Sequence, residues 1–333
     1  MGNTKIGVTL YSFTTEYCKG EMTFEDCIRT AKELGAEGFE IVATQMIPSY
    51  PIVDEKFLGE LKALCSYYDI EAVSYGANCD RGLRFDRNLT GDEMVAMAVQ
   101  DIKNANKMGC HVLREQYLIG PENFKKLLPY CEAYDVKVGI EIHNPDSPIT
   151  PMTQGYLDVI KECGSKYLGL IPDFGCFAVR PNKLTWDLAI AAGASEKHME
   201  MAKQFRYDGL SQEEASARLT EAGATRPVFE FLRDAYGFQQ FKKNVDAELK
   251  GLKDILPYCV HMHGKFYYMY EDLTEASMPY DDIMKIIQGS DYDGYIVSEY
   301  EEYNSGRAIE QISRHLKMLH NYVDQKADPE GRT

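Results

Sequence analysis

Apolar and polar positions along the chain alternate in a fixed manner. A short, almost continuously apolar segment is followed each time by a longer stretch with helical spacing. The apolar segments are Ile6–Leu10, Gly38–Val42, Ile70–Ser74, Cys110–Leu113, Val136–Ile142, Tyr167–Ile171, Cys259–His263 and Gly294–Glu299. Runs of this kind fit strands covered on both faces, and the helical stretches between them supply right-handed crossovers, so the pattern predicts a parallel sheet. The first helix is expected to begin near Thr23, where Asp26 completes a capping box, and to close at Gly35.

Eight strand–helix units are what a closed (β/α)8 TIM barrel requires, and this is the predicted α/β fold. A doubly wound sheet is the alternative, but no GxGxxG or GxxxxGK[ST] loop follows the first segment. Most segments begin 26–40 residues apart, whereas nearly ninety residues separate Asp173 from His261. Helical, charged stretches at Ser195–Glu200, Ser211–Glu221 and Phe229–Ile255 fill that interval. The reading is one barrel domain over residues 1–323, with a helical insertion within 178–257 on the C-terminal face and a polar tail over 324–333.

Composition narrows the partners. Of 333 residues, 44% are hydrophobic, enough for one large core or two medium ones. Lys and Arg number 36 against 52 Asp and Glu, a net charge of −16 that repels nucleic acid and anionic membrane. No apolar run reaches the ~18 residues of a membrane span, and the start Met1–Lys5 leads into a stretch too short for a signal peptide. Nine cysteines without a CxxC pair read as reduced thiols, pointing to the cytoplasm.

The chemistry lies where polar residues end the strands, because strand ends at the C-terminal face of a barrel carry active sites. Segment five ends in Glu141, His143 and Asn144; segment six runs into Asp173; segment seven carries His261, His263 and then Lys265; segment eight ends in Glu299. Each alone is more often a hydrogen-bonded rim residue than a ligand. Together, three carboxylates and a histidine at one mouth would be costly to bury without a cation. Glu141, Asp173, His263 and Glu299 are therefore the candidate ligands of one divalent metal, Mn2+ first, with Mg2+, Co2+ or Zn2+ also fitting. Side chains repeat with period two, so His261 shares a face with His263 but sits lower, and it is read as a lower-layer or substrate-orienting residue. His143 stands about 6–7 Å above Glu141 on one face, a place for a general acid/base; capping of the Asn144–Pro145 loop is the other reading. Lys265, Arg114, Tyr11 and Asn144 are candidate substrate-binding residues of a tyrosine-rich wall suited to a polyhydroxylated ligand. Cys176, with no activating neighbour in sequence, is read as an inert thiol.

These motifs resemble the sugar phosphate isomerase/epimerase superfamily, the xylose isomerase-like TIM barrels, from Ile6 to about Leu319 outside the insertion. The resemblance rests on Glu141 in GIEIH, Asp173 in IPDFG, His263 in HMHGKF and Glu299 in VSEYE. It implies that these four hold Mn2+ or a similar ion, and that Glu141 and Glu299 also act as the catalytic acid/base pair of ketose 3-epimerases. Those epimerases carry a substrate-binding histidine where this chain has Cys176, usually an arginine where it has Lys265, and a shorter sixth connection. Endonuclease-like members need more histidines than are present. The ExH of segment five, the HxHGK of segment seven and the long insertion look more like the catalytic α subunits of bacterial C-glycoside deglycosidases. That likeness implies a metal-dependent lyase that polarises a carbonyl, abstracts a proton and eliminates the aglycone of a 3-oxo-C-glycoside. It also implies a small β-rich partner subunit and an oligomer. A sugar or keto-sugar isomerase or 3-epimerase, and a non-catalytic sugar-binding barrel, are the alternatives.

Overall fold

The computed structural model describes residues 3–301 and 306–324. Eight strands form it: β1 (Lys5–Thr9), β2 (Gly38–Val42), β3 (Glu71–Gly76), β4 (Val112–Glu115), β5 (Lys137–Ile142), β6 (Leu168–Pro172), β7 (Met262–Phe266) and β8 (Tyr295–Tyr300). All neighbouring pairs are parallel and the order is β6-β5-β4-β3-β2-β1-β8-β7. The remaining seam, β6 to β7, is joined by bridges at Leu170–Cys259 and Asp173–His263 and by a hydrogen bond from Val260 N to Leu170 O of 3.1 Å. The fold is the (β/α)8 barrel that the eight-fold pattern predicts.

The seam is close because β6 carries Gly169. A Cβ there would stand 2.4 Å from Val260 Cγ1 and 2.8 Å from the Tyr258 carbonyl oxygen. β7 begins three residues later than the apolar pattern indicates. Pro257 sits in a tight turn over Leu256–Tyr258, and the next residues meet β6 only through the seam bridges. Lys265, expected in the loop beyond the strand, is consequently inside β7 and on the same inward face as His263.

Helices cover the barrel. They are α1 (Phe24–Glu33), α2 (Glu55–Tyr68), α3 (Gly91–Met108), α4 (Leu128–Tyr134) and α5 (Pro151–Cys163). The Thr23–Asp26 capping box opens α1. In α3, Met94, Ala98, Ile102 and Ala105 recur at helical spacing and are buried, which is the face laid on the strands.

Between β6 and β7 lie α6 (Lys183–Ala191), α7 (Glu196–Tyr207), α8 (Gln212–Glu221), α9 (Arg226–Tyr236) and α10 (Asp246–Ile255). The continuous helix expected from Phe229 to Ile255 is broken at Gly237, and nine non-helical residues intervene before α10. α9 packs on α6, α7 and α8 around Phe231, Leu232 and Leu219, with Trp186 edge-on to Phe231 at 5.5 Å. The barrel closes with α11 (Tyr280–Gln288), which packs on α10, and α12 (Ala308–Asp324). Asp324 thus ends a helix, and the rest of the expected tail lies outside the described residues.

Candidate active site

Strand alternation turns Glu141, His263, Lys265 and Glu299 toward the barrel interior at its C-terminal end. His263 Nδ1 lies 2.9 Å from Glu141 Oε1 and 3.2 Å from Glu299 Oε2. Ligand atoms of these three buried residues all fall within 4.8 Å of one another. Asp173, the fourth expected ligand, stands at the same rim with its carboxylate turned toward Lys265. Its Oδ1 accepts the Gly175 N–H at 2.7 Å, and its Oδ2 is 2.6 Å from Lys265 Nζ.

Lys265 is the hub of the upper layer. Its ammonium also meets Glu301 Oε2 at 2.7 Å and His143 Nε2 at 2.7 Å. His143 Nδ1 is 2.8 Å from the Asn144 carbonyl oxygen, which only an N–H can satisfy, so the lone pair of the ring is on Nε2 and faces the site. The ring packs edge-on against Phe238, brought in by the insertion, at 5.7 Å. Arg114 donates from Nη1 to the Ala77 carbonyl at 2.8 Å and to Asn78 Oδ1 at 3.1 Å, and lies 3.8 Å from Glu141 Oε2.

These groups surround a cavity of about 500 Å3 that Tyr11, Arg114, Asn144 and Lys265 line, together with Glu141, His143 and Glu299. Asn144 also ties the rim together, donating from Nδ2 to the Gly175 carbonyl at 2.9 Å and the Gln240 carbonyl at 3.3 Å. His261 is not in this cavity. Two residues before His263 it drops one layer toward the N-terminal end, where it lines a separate cavity with Lys5 and Tyr295, so a substrate in the upper cavity does not touch it.

The electrostatics favour a cation. Burial raises the Glu141 carboxyl, but Arg114 and His263 outweigh it and hold the group well below the usual range. Burial pushes Asp173 up to about 6 despite Lys265 beside it, and the Glu299 charge adds to the rise. Burial would lower the Lys265 and His263 pKa values, but the surrounding carboxylates hold both well above their ordinary values. The site residues themselves fit a divalent ion. Asp173 Oδ2, His263 Nδ1 and Glu299 Oε2 are buried, and their near neighbours are charged groups of the site itself. Carboxylate oxygens and an imidazole nitrogen, gathered within 4.8 Å of one another, are a donor set that a divalent cation accepts.

Three residues of this site escaped the reading of the strand ends. Glu40, in the middle of β2, is 1% exposed and its Oε2 is 3.2 Å from His263 Nε2. A lone acid inside the apolar run GFEIV was the available signal. Glu301 follows Glu299 at the same period-two spacing. Phe238 gave no local signal, because only the folding of the insertion carries it to the mouth.

Residues 28–322 match the profile of the xylose isomerase-like TIM barrel family. The 3'-dehydrocarminate deglycosidase alpha subunit of Microbacterium sp. is 32% identical over 310 residues, covering 89% of this chain and 88% of that protein. A C-glycoside deglycosidase alpha subunit of Arthrobacter globiformis is 27% identical over 333 residues, covering 98% and 94%. Among solved structures, a sugar phosphate isomerase/epimerase from Parabacteroides distasonis shares the fold with a TM-score of 0.57 at 12% identity, covering 99% of this chain and 96% of that one. The match to the profile extends over nearly the whole barrel, and the chain belongs to the xylose isomerase-like TIM barrel family.

Proposed function

We propose that the chain is the catalytic α subunit of a C-glycoside deglycosidase, a metal-dependent enzyme that eliminates the aglycone from a 3-oxo-C-glycoside. The observation that carries this reading is the convergence of Glu141, His263 and Glu299 beneath His143 in one cavity. It occurs in a chain that is 32% identical to a deglycosidase alpha subunit.

Glu141, His263 and Glu299 would hold the ion, with Asp173 as fourth ligand once it leaves Lys265. A divalent cation there supplies polarisation of the sugar carbonyl, acidifying the adjacent C–H and stabilising negative charge on oxygen. The chain does the rest. His143 Nε2 takes the proton from C2, the carbon between the carbonyl and the anomeric carbon. The electron pair forms the C1–C2 double bond as the bond from C1 to the aglycone breaks, and the proton that His143 took from C2 is returned to the aglycone carbon as it leaves. No oxidant or water is consumed. Lys265 and Arg114 orient substrate oxygens and offset charge, while Tyr11 and Asn144 shape the wall. A small β-rich partner subunit and an oligomeric assembly belong to the same proposal.

A second reading has a specific support: Glu141 and Glu299 both approach His263 Nδ1 and so bracket one point, as a proton-exchanging pair in a keto-sugar 3-epimerase would. Incubation of the Mn2+-loaded protein, with and without its partner, separates the two. Release of aglycone from a 3-oxo-C-glycoside, followed by chromatography, is the expected result. Turnover of free ketoses alone overturns the lyase reading in favour of the epimerase.

A further inference from the structure

We propose that Glu40 is a positioning residue that fixes His263 in the tautomer presenting Nδ1 to the divalent cation; this rests on the metal reading above. The two ring nitrogens of His263 face opposite ways. Nδ1 meets Glu141 and Glu299, at 2.9 and 3.2 Å, and Nε2 meets Glu40 Oε2 at 3.2 Å. A histidine that gives one lone pair to a metal carries its proton on the other nitrogen, and an acceptor there sets both the tautomer and the ring plane. Glu40 is that acceptor.

Glu40 is itself held on every side. Its Oε1 accepts the Thr9 hydroxyl at 3.1 Å and its Oε2 accepts the Ser74 hydroxyl at 2.8 Å. With its proton given to Glu40, Ser74 Oγ is left as an acceptor for His261 Nε2, 3.2 Å away. Three strands, β1, β2 and β3, thereby brace one carboxylate against β7. His261 contributes from below as the last donor of the chain.

Glu40, His261 and His263 also approach closely enough to hold an ion of their own. The hydrogen bonds assign them otherwise. Both Glu40 oxygens already accept hydroxyl protons and His261 Nε2 is engaged by Ser74, whereas the candidate ligand atoms of His263, Glu141 and Glu299 converge on the upper side. The lower group is a support for one metal centre and not a second one.

The test measures Mn2+ affinity by calorimetry in the full-length protein, with circular dichroism as the check on folding. Glu40→Gln is expected to weaken Mn2+ binding by about 10- to 100-fold. The double variant Thr9→Val/Ser74→Ala keeps the carboxylate but frees it, and is expected to weaken binding several-fold; it decides the matter if Glu40→Gln does not fold. In the Co2+-loaded protein the His263 Nε2 proton is expected to give a hyperfine-shifted, slowly exchanging NMR line that exchanges faster in Glu40→Gln, a signature that a merely structural role would not move. Unchanged affinity in folded variants overturns the proposal alone. A wild-type protein that binds no metal overturns the metal reading and this proposal with it.

Discussion

Lys265 shows how one side chain can hold a site together before any ligand arrives. Its ammonium is enclosed by Asp173, Glu301 and His143 and is 2% exposed. Removing it leaves buried carboxylates without a counter-charge, which in other proteins costs about 3–5 kcal/mol. Lys265→Met is therefore expected to lower the melting temperature, and Mn2+ is expected to restore more of it than it adds to wild type; calorimetry with and without the ion checks both. His143→Phe tests the neighbouring group. Loss of a general base should cost about 100-fold or more in turnover, while Mn2+ binding persists because the candidate ligands are untouched. Glu141, Asp173, His263 and Glu299 were legible as residues because each is a polar group ending an apolar strand. Glu40 carries the same signal one layer lower, where strand ends do not direct attention. That Asp173 faces Lys265 and not the other candidate ligands is a matter of rotamer and partner, which no spacing encodes.

At the scale of elements, the eight strands were legible because each is an apolar run bounded by a helix. The start of β7 was not, because Cys259 and Val260 are as apolar as strand residues but touch β6 only through bridges at the seam. That shift of three residues moved Lys265 from a loop into the barrel. The insertion's helices announced themselves by length and charge, but the break after Tyr236 that brings Phe238 to His143 depends on how α9 packs on α6, α7 and α8. The seam offers its own test. Gly169→Ala places a methyl group 2.4 Å from Val260 Cγ1 and 2.8 Å from a backbone oxygen that cannot yield by changing rotamer. It is expected to destabilise by about 1–3 kcal/mol, as overpacking does, and urea unfolding would read the loss.

Across the whole molecule, the −16 charge divides between surface and interior. Some acids sit inside: those of the mouth, Glu40 beneath it, and Asp101 on α3 between helix and barrel. Asp101 accepts the Tyr75 hydroxyl at 2.8 Å, and burial pushes its carboxyl up to about 7. A carboxyl raised in the folded state binds its proton there more tightly than in the unfolded chain. Its stabilising contribution is complete below the ordinary Asp pKa of about 4 and is lost as pH rises from there through about 7. Asp101→Asn should therefore be more stable than wild type at pH 8, by up to a few kcal/mol, and the two should converge toward pH 4; denaturant melts at both pH values check it. Among the described residues no helix is long and apolar enough to cross a membrane. The central claim is that the mouth holds one divalent cation. Anomalous diffraction at the manganese edge, from crystals grown with Mn2+, tests it most directly. The account predicts a single peak bounded by Glu141, His263 and Glu299; the absence of a peak there, or a peak between Glu40 and His261, would contradict it.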